Sequence, residues 1–267
     1  MNILDKIIAY KKVEVAERKK LKSVKELESS ALFSAPNNSL RKFLLDESRS
    51  GIIAEHKRKS PSKGIINDKL TVEEIVKGYQ SAGASAVSVL TDTPSFGGAD
   101  EDLLKARAVI TIPILRKDFI VDEFQILEAR SIGANIILLI AACLSPKEIE
   151  HLAKFTKSLG MEVLLEVHSE EELIPNCFDS IDCVGVNNRN LKDFTVSVEL
   201  SKTLASKIPA HYLKISESGI EAPETIIELQ KYGYKGFLIG ESFMKTNNPG
   251  AAMKEFVGKI EGLKLKV

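Results

Sequence analysis

Glutamates and lysines recur in this chain at the ends of short apolar runs, where grouped together they can do acid and base work. The first such place is residues 52–64, IIAEHKRKSPSKG. Ile52, Ile53 and Ala54 have strand character. Glu55 and Lys57 lie two apart, so a strand projects both to one face. The stretch closes in Ser60-Pro61-Ser62-Lys63-Gly64, which is loop chemistry. A carboxylate beside an ammonium is costly to desolvate, and taken alone the stretch reads equally well as a solvated, basic strand end. The pattern returns downstream, however. Lys117 follows Ile114 and Leu115, and Glu166 stands in VLLEVHSEEE. Asn187 and Arg189 follow Gly185 and Val186, Glu217 and Ser218 follow Ile215, and Gly240 and Glu241 follow Leu238 and Ile239. One ionisable residue at a strand end is ordinary surface. Several converging on one rim make a site.

The runs that carry these residues are 52–54, 86–90, 112–115, 135–140, 162–167, 182–186, 212–215 and 236–239. Amphipathic segments lie between them. Thr71 with Glu74, Ser145 with Glu148 and Ser169 with Glu172 have capping-box spacing, and Pro146 suits a first helical position. Gly83, Gly133, Gly160 and Gly233 stand where helices end. Eight strands alternating with helices predict a (β/α)₈ TIM barrel within α/β architecture. The competitor is an open doubly wound sheet, but SPSKG is not its GxGxxG fingerprint. Ahead of the barrel, residues 1–50 read as a helical extension of one domain covering 1–267. A helix is expected over 2–20, with Ile3, Ile7, Val13 and Ala16 as apolar positions, then a mixed segment with a loop at 36–39.

In a barrel, reactive residues belong at the C-terminal strand ends. Ser218-Gly219 after the seventh strand and Gly240-Glu241-Ser242 after the eighth set glycine at strand-to-helix turns. There backbone N–H groups and a helix N-terminus can hold an anion, which points to a phosphate. Alternation turns Arg116 away from Lys117, so Arg116 reads as structural. His56 and His168 are likewise expected to face away from the barrel interior, and His151 and His211 to be surface or helix residues.

The composition narrows the classes further. Lys+Arg and Asp+Glu are both 37, so there is no general basic field to hold nucleic acid. Cys143, Cys177 and Cys183 are odd in number and lack CxxC spacing, which reads as reduced thiols in a cytoplasmic protein. No run reaches membrane-spanning length and no cleavage signal is seen, so a soluble protein is expected. Strongly charged helix faces favour a monomer.

Six ordered motifs, IIAEHKRKSPSKG, PILRKDFIVDEFQI, LLEVHSEEEL, VGVNNRNLKDF, ISESGI and FLIGESFM, together resemble the indole-3-glycerol-phosphate synthase family of tryptophan biosynthesis. The resemblance runs from ILDKIIAYKKVEVAERK to about Phe256. It implies a barrel with a helical extension and closure of the indole ring of 1-(2-carboxyphenylamino)-1-deoxyribulose 5-phosphate, with release of carbon dioxide and water. It implies no metal and no organic cofactor. By this resemblance Lys117 is the general acid, Glu166 the general base and Lys57 a carboxylate-holding lysine. Glu55, Asn187 and Glu217 position the substrate and the lysines, and Arg189 binds substrate. Phe96, Phe119, Leu138 and Leu191 form the aromatic slot, while Ser60, Ser218, Gly219, Gly240 and Glu241 form the phosphate end. Partial burial among glutamates is expected to tune the lysine. Pro94 and Ser95 depart from the family's commoner pattern in the loop after strand two, a substrate cover, and Phe194 stands where an aliphatic is frequent. Asn190 replaces a frequent aspartate. Other readings are a phosphoribosylanthranilate isomerase-like barrel enzyme and a non-catalytic barrel that binds a phosphorylated ligand.

Overall fold

Eight strands close on one another: β1 (Ile52–His56), β2 (Ala86–Leu90), β3 (Ile114–Lys117), β4 (Ile136–Ile140), β5 (Glu162–Val167), β6 (Cys183–Asn187), β7 (Leu213–Glu217) and β8 (Tyr234–Ile239). Each is parallel to its sequence neighbours, and β8 pairs back onto β1, so the sheet is a closed barrel without an edge. The computed structural model describes residues 3–61, 63–190 and 193–265. Four strands run past the apolar stretches that mark them, so that Glu55, Lys117, Asn187 and Glu217 lie inside the ladder. β3 starts late because Pro113 has no N–H to donate, although its carbonyl still accepts from Val87. Register does the rest: Leu90 lies opposite Lys117, Ile140 opposite Glu166, Glu166 opposite Gly185, and Asn187 opposite Glu217.

The extension contributes α1 (Ile3–Leu21), α2 (Val24–Glu28) and α3 (Leu40–Leu45). Around the barrel follow α4 (Val72–Ser81), α5 (Thr93–Phe96), α6 (Asp100–Val109), α7 (Glu123–Ser131), α8 (Pro146–Ser158) and α9 (Glu170–Leu173). The ring is completed by α10 (Glu199–Leu204), α11 (Pro223–Lys231), α12 (Glu241–Met244) and α13 (Pro249–Lys264). Capping boxes form at Thr71/Glu74 and Ser145/Glu148. At α9 only half of the box forms: Ser169 accepts from the Glu172 N–H, but the Glu172 carboxylate takes the His168 N–H at 2.7 Å instead. Gly83, Gly133, Gly160 and Gly233 all have positive φ, as helix-ending turns demand.

Two apolar layers result. One fills the barrel, where Ile53, Leu115, Leu138, Leu164 and Ile215 meet Leu40 and Leu44 of α3. The other lies between strands and helices, around Val87, Ile137, Val163, Val184 and Phe237. The buried face of α1 differs from the expected one. Val13 is 64% exposed, whereas Ile7, Lys11 and Val15, spaced by four, are buried. A lysine occupies this inward stripe because acids await it: Lys11 Nζ lies 2.8 Å from Asp92, 3.1 Å from Asp118 and 3.1 Å from Glu14. Among the described residues, no helix is long and apolar enough to cross a membrane.

Candidate active site

Lys117 ends β3 in the middle of the barrel mouth. Its Nζ lies 3.1 Å from Glu166 Oε2 on β5 and 2.5 Å from Glu217 Oε2 on β7. The other oxygen of Glu166 accepts from Asn187 Nδ2 at 3.2 Å. Asn187 Oδ1 in turn accepts from Ser218 Oγ at 2.9 Å and from the Arg189 N–H at 3.1 Å. Beside this group Lys57 Nζ pairs with Glu55 Oε1 at 2.8 Å. Two glycines make room for the carboxylates. A Cβ at Gly240 would meet Glu55 Oε1, and one at Gly185 would meet Glu217 Oε1. Gly240, expected to bring backbone close to a ligand, has a negative φ and serves here as clearance for Glu55.

Burial and charge act against each other in this group. Burial disfavours charged Lys117, but Glu217, Glu166 and Glu55 outweigh it and hold its pKa well above the ordinary lysine value. The lysine thus stays charged, as expected of one among glutamates, and burial alone does not bring it down. Burial also pushes Glu217 up, Lys117 pulls it back and Glu166 pushes again, leaving it at about 7. Burial raises Glu166 as well, yet Lys117, His168 and Asn187 together bring it below the usual carboxylate range. The site thus holds a charged lysine, an ionised Glu166 and a Glu217 that keeps its proton to higher pH than an ordinary glutamate.

A cavity of about 190 Å³ opens over this group. Glu55, Lys57, Ser60, Phe96, Lys117, Phe119, Leu138, Glu166, Asn187, Arg189, Glu217, Ser218 and Glu241 all line it. One wall is apolar, with Phe96 of α5 tilted against Phe119 at 6.3 Å between ring centroids. Phe194 also lines it. Gly219 and Gly240 lie next to the lining without forming it, and Leu191 falls outside the described residues. Ser218 and Gly219 both have positive φ, but α11 starts only at Pro223, so this turn does not lead straight into a helix N-terminus. The Glu241 carboxylate bonds Lys63 at 2.6 Å, which places a cation at the same rim.

The sequence reading missed some contributors and misplaced one. Leu4 and Ile7 of α1 line the cavity, and the signal was there in the apolar start of that helix. Lys11 is the other omission: its bonds to Asp92 and Asp118 tie α1 to the N-cap of α5, the helix that carries Phe96, and to the residue after Lys117, and Tyr10 adds a bond to Asp92 at 2.8 Å. His168 is the misplacement. It lies two residues beyond Glu166, on the same side of the strand, and its Nε2 stands 3.5 Å from Glu166 Oε1. His56 does face away: it is buried, its nitrogens have no hydrogen-bond partner, and desolvation lowers it to about 4. Arg116 is also structural, buried outside the barrel wall against Asp100 and Asp118.

A closed parallel barrel with a lysine held by carboxylates at its C-terminal rim is the arrangement of an acid/base enzyme of the (β/α)₈ class. A family model described as "Indole-3-glycerol phosphate synthase" matches residues 4–256. A protein of that name from Bacteroides thetaiotaomicron is 46% identical over 97% of this chain and 99% of its own length. Another from Caldanaerobacter subterraneus subsp. tengcongensis is 41% identical over the same shares, 97% and 99%. The chain belongs to the indole-3-glycerol phosphate synthase family. Among solved structures, a chain of the tryptophan synthase α2β2 complex from Pyrococcus furiosus superposes with a TM-score of 0.60 at 14% identity, covering 80% of this chain and 99% of that one, a likeness of fold alone.

Proposed function

We infer that the chain closes the indole ring of 1-(2-carboxyphenylamino)-1-deoxyribulose 5-phosphate, releasing carbon dioxide and water. The observation that carries the reading is one lysine bonded to two buried carboxylates beneath an apolar wall. Charged Lys117 donates to the ribulose carbonyl oxygen as the aromatic carbon attacks. Once Lys117 has given its proton, its pull on Glu166 disappears, and Glu166 becomes basic at the step where the ring must lose one. The low pKa of Glu166 in the free site is thus compatible with a base that is switched on by the acid beside it. Lys57 holds the substrate carboxylate near Glu55. Phe96, Phe119 and Leu138 receive the aromatic ring, and Leu191 is assigned to the same slot. Ser60, Ser218, Gly219, Gly240 and the main chain at Glu241 are assigned to the phosphate, with Arg189 on the substrate chain. The phosphate grip lies apart from the reacting atoms and holds the flexible chain folded for attack.

The extension works as part of the one domain, since Leu4 and Ile7 close the cavity. The charged outer faces support a monomer, and three free cysteines support a cytoplasmic setting. The chain contains no Trp, so indole fluorescence from the product stands clear of the protein's own emission. Purified protein mixed with the substrate is expected to develop that signal, and Lys117→Ala to lose it by roughly a thousandfold or more. A signal that survives in the variant moves the acid to Lys57. No signal from folded wild type overturns the reading.

A further inference from the structure

The chemistry inferred above has an unbalanced proton. The carbonyl oxygen leaves as water and takes two protons. The methylene carbon that becomes a ring carbon gives one back. The carboxylate departs as carbon dioxide without any. One proton per turnover must therefore come from solvent, while the substrate lies between the acid–base group and the cavity mouth.

Behind Glu166 the structure holds a second opening. A cavity of about 510 Å³ is lined by His168, Ser169, Glu172, Asn188 and Arg189. Between it and the acid stands a line of polar atoms, hydrogen-bonded except at one link, where His168 Nε2 faces Glu166 Oε1 without a hydrogen bond. Glu172 Oε2 lies 3.3 Å from His168 Nδ1, His168 Nε2 lies 3.5 Å from Glu166 Oε1, and Glu166 Oε2 lies 3.1 Å from Lys117 Nζ. Each side chain uses different atoms toward its two neighbours, apart from the terminal ones, as a relay requires. The exposure falls along the same line: Glu172 is 27% exposed in its side chain, His168 10% and Glu166 6%. Glu172 also grips the His168 main-chain N–H at 2.7 Å, which fixes the backbone on which the ring is carried.

We propose that Glu172 and His168 form a proton inlet that delivers one solvent proton per turnover through Glu166 to Lys117. The proposal rests on the acid/base roles given to Glu166 and Lys117. In the step, the ring closes up on Glu166 and the imidazolium gives its Nε2 proton to Glu166 Oε1, the carboxyl turns and passes it to the Lys117 amine, and the neutral imidazole, still protonated at Nδ1, turns over so that its vacant nitrogen regains a proton from water at the Glu172 end. No bond other than these N–H and O–H bonds changes. The groups that face His168 favour its charged form: Glu166 from β5, Glu172 from α9 and Glu217 from β7. Burial disfavours the charge, but these carboxylates outweigh it and raise the imidazole above its ordinary pKa. Lys117 stands beyond Glu166, and Arg189 lines the side cavity. His168 does not touch the substrate, so it acts as a positioning and relay residue.

The test is the single-turnover rate of indole formation at saturating enzyme, read with and without added imidazole. His168→Gln is expected to slow by roughly ten- to a hundredfold with substrate affinity unchanged, and to recover in proportion to imidazolium concentration. Glu172→Gln is expected to slow to a lesser degree and to recover likewise; it carries the test if His168→Gln does not fold. The full rate in both variants, or a loss that imidazole leaves untouched, overturns the inlet and leaves His168 a packing residue. Absence of product from wild type, or an undiminished rate in Glu166→Gln, would instead overturn the reaction or the role of Glu166.

Discussion

At the scale of single residues, the site is governed by competition between desolvation and near charges. Glu217 is raised from 4.5 to about 7, first by burial and then by Glu166, against the pull of Lys117. The folded state therefore binds a proton that the unfolded state has released between those two values. The contribution of this group to stability is present below about 4.5 and is lost as pH rises towards 7. Urea midpoints measured across that window are expected to fall with rising pH in wild type and to fall less in Glu217→Gln. An equal slope in the two proteins would mean that Glu217 titrates normally. Gly185 makes a separate prediction. Its missing Cβ is the space taken by Glu217 Oε1, the far end of a movable side chain. Gly185→Ala is expected to displace that carboxylate, lowering kcat about tenfold or more with only a small change in Tm. A large loss of Tm with kcat intact would reverse that account. These residues were legible as a set because each stands at a strand end. Their pKa order was not legible, since it depends on which carboxylate oxygen faces which nitrogen.

At the scale of elements, α1 is more than a cover. Its inward stripe of Ile7, Lys11 and Val15 sets a charge in the middle of an apolar face. Lys11 joins Asp92, which caps α5, to Asp118, the neighbour of Lys117. Ser95 takes part in the same network, with its Oγ 3.1 Å from the Tyr10 hydroxyl. Removing the cation leaves its acids buried with fewer partners, so Lys11→Met is expected to cost about 3–5 kcal/mol by urea unfolding. It is also expected to raise KM, because α5 carries Phe96. Adding Asp92→Asn should restore part of the stability, and failure to do so would show that the loss does not come from leaving Asp92 without its cation. Periodicity alone pointed to Val13 and Ala16 as the packed positions. It ranked residues by hydrophobicity and had no means of seeing the acids that wait across the interface.

At the scale of the whole molecule, closure is the main fact. β8 pairs with β1, every barrel strand has two neighbours, and the extension reaches both ends of the barrel through Ile7 and Leu40. Such a molecule has no edge from which to unravel. Helix loss by circular dichroism and tertiary loss by tyrosine fluorescence are expected to share one urea midpoint. Separate midpoints would mean that the extension unfolds on its own.

The sequence by itself determined the number of strands, their order and the rim on which the chemistry sits. Alternation, helix caps and turn glycines are local signals, and six of the eight strand ends announce their own polar residues. The family membership was likewise legible, in six motifs whose order matters more than any one of them. Only the tertiary structure decided that the room for Glu55 and Glu217 comes from glycines on neighbouring strands, that Lys11 belongs inside, and that His168 backs onto Glu166. The reason is physical: each of these is a meeting of groups from segments far apart in the chain. Their distances and burial, which settle whether a charge is paid for by a partner or expelled to water, exist only once the barrel has closed.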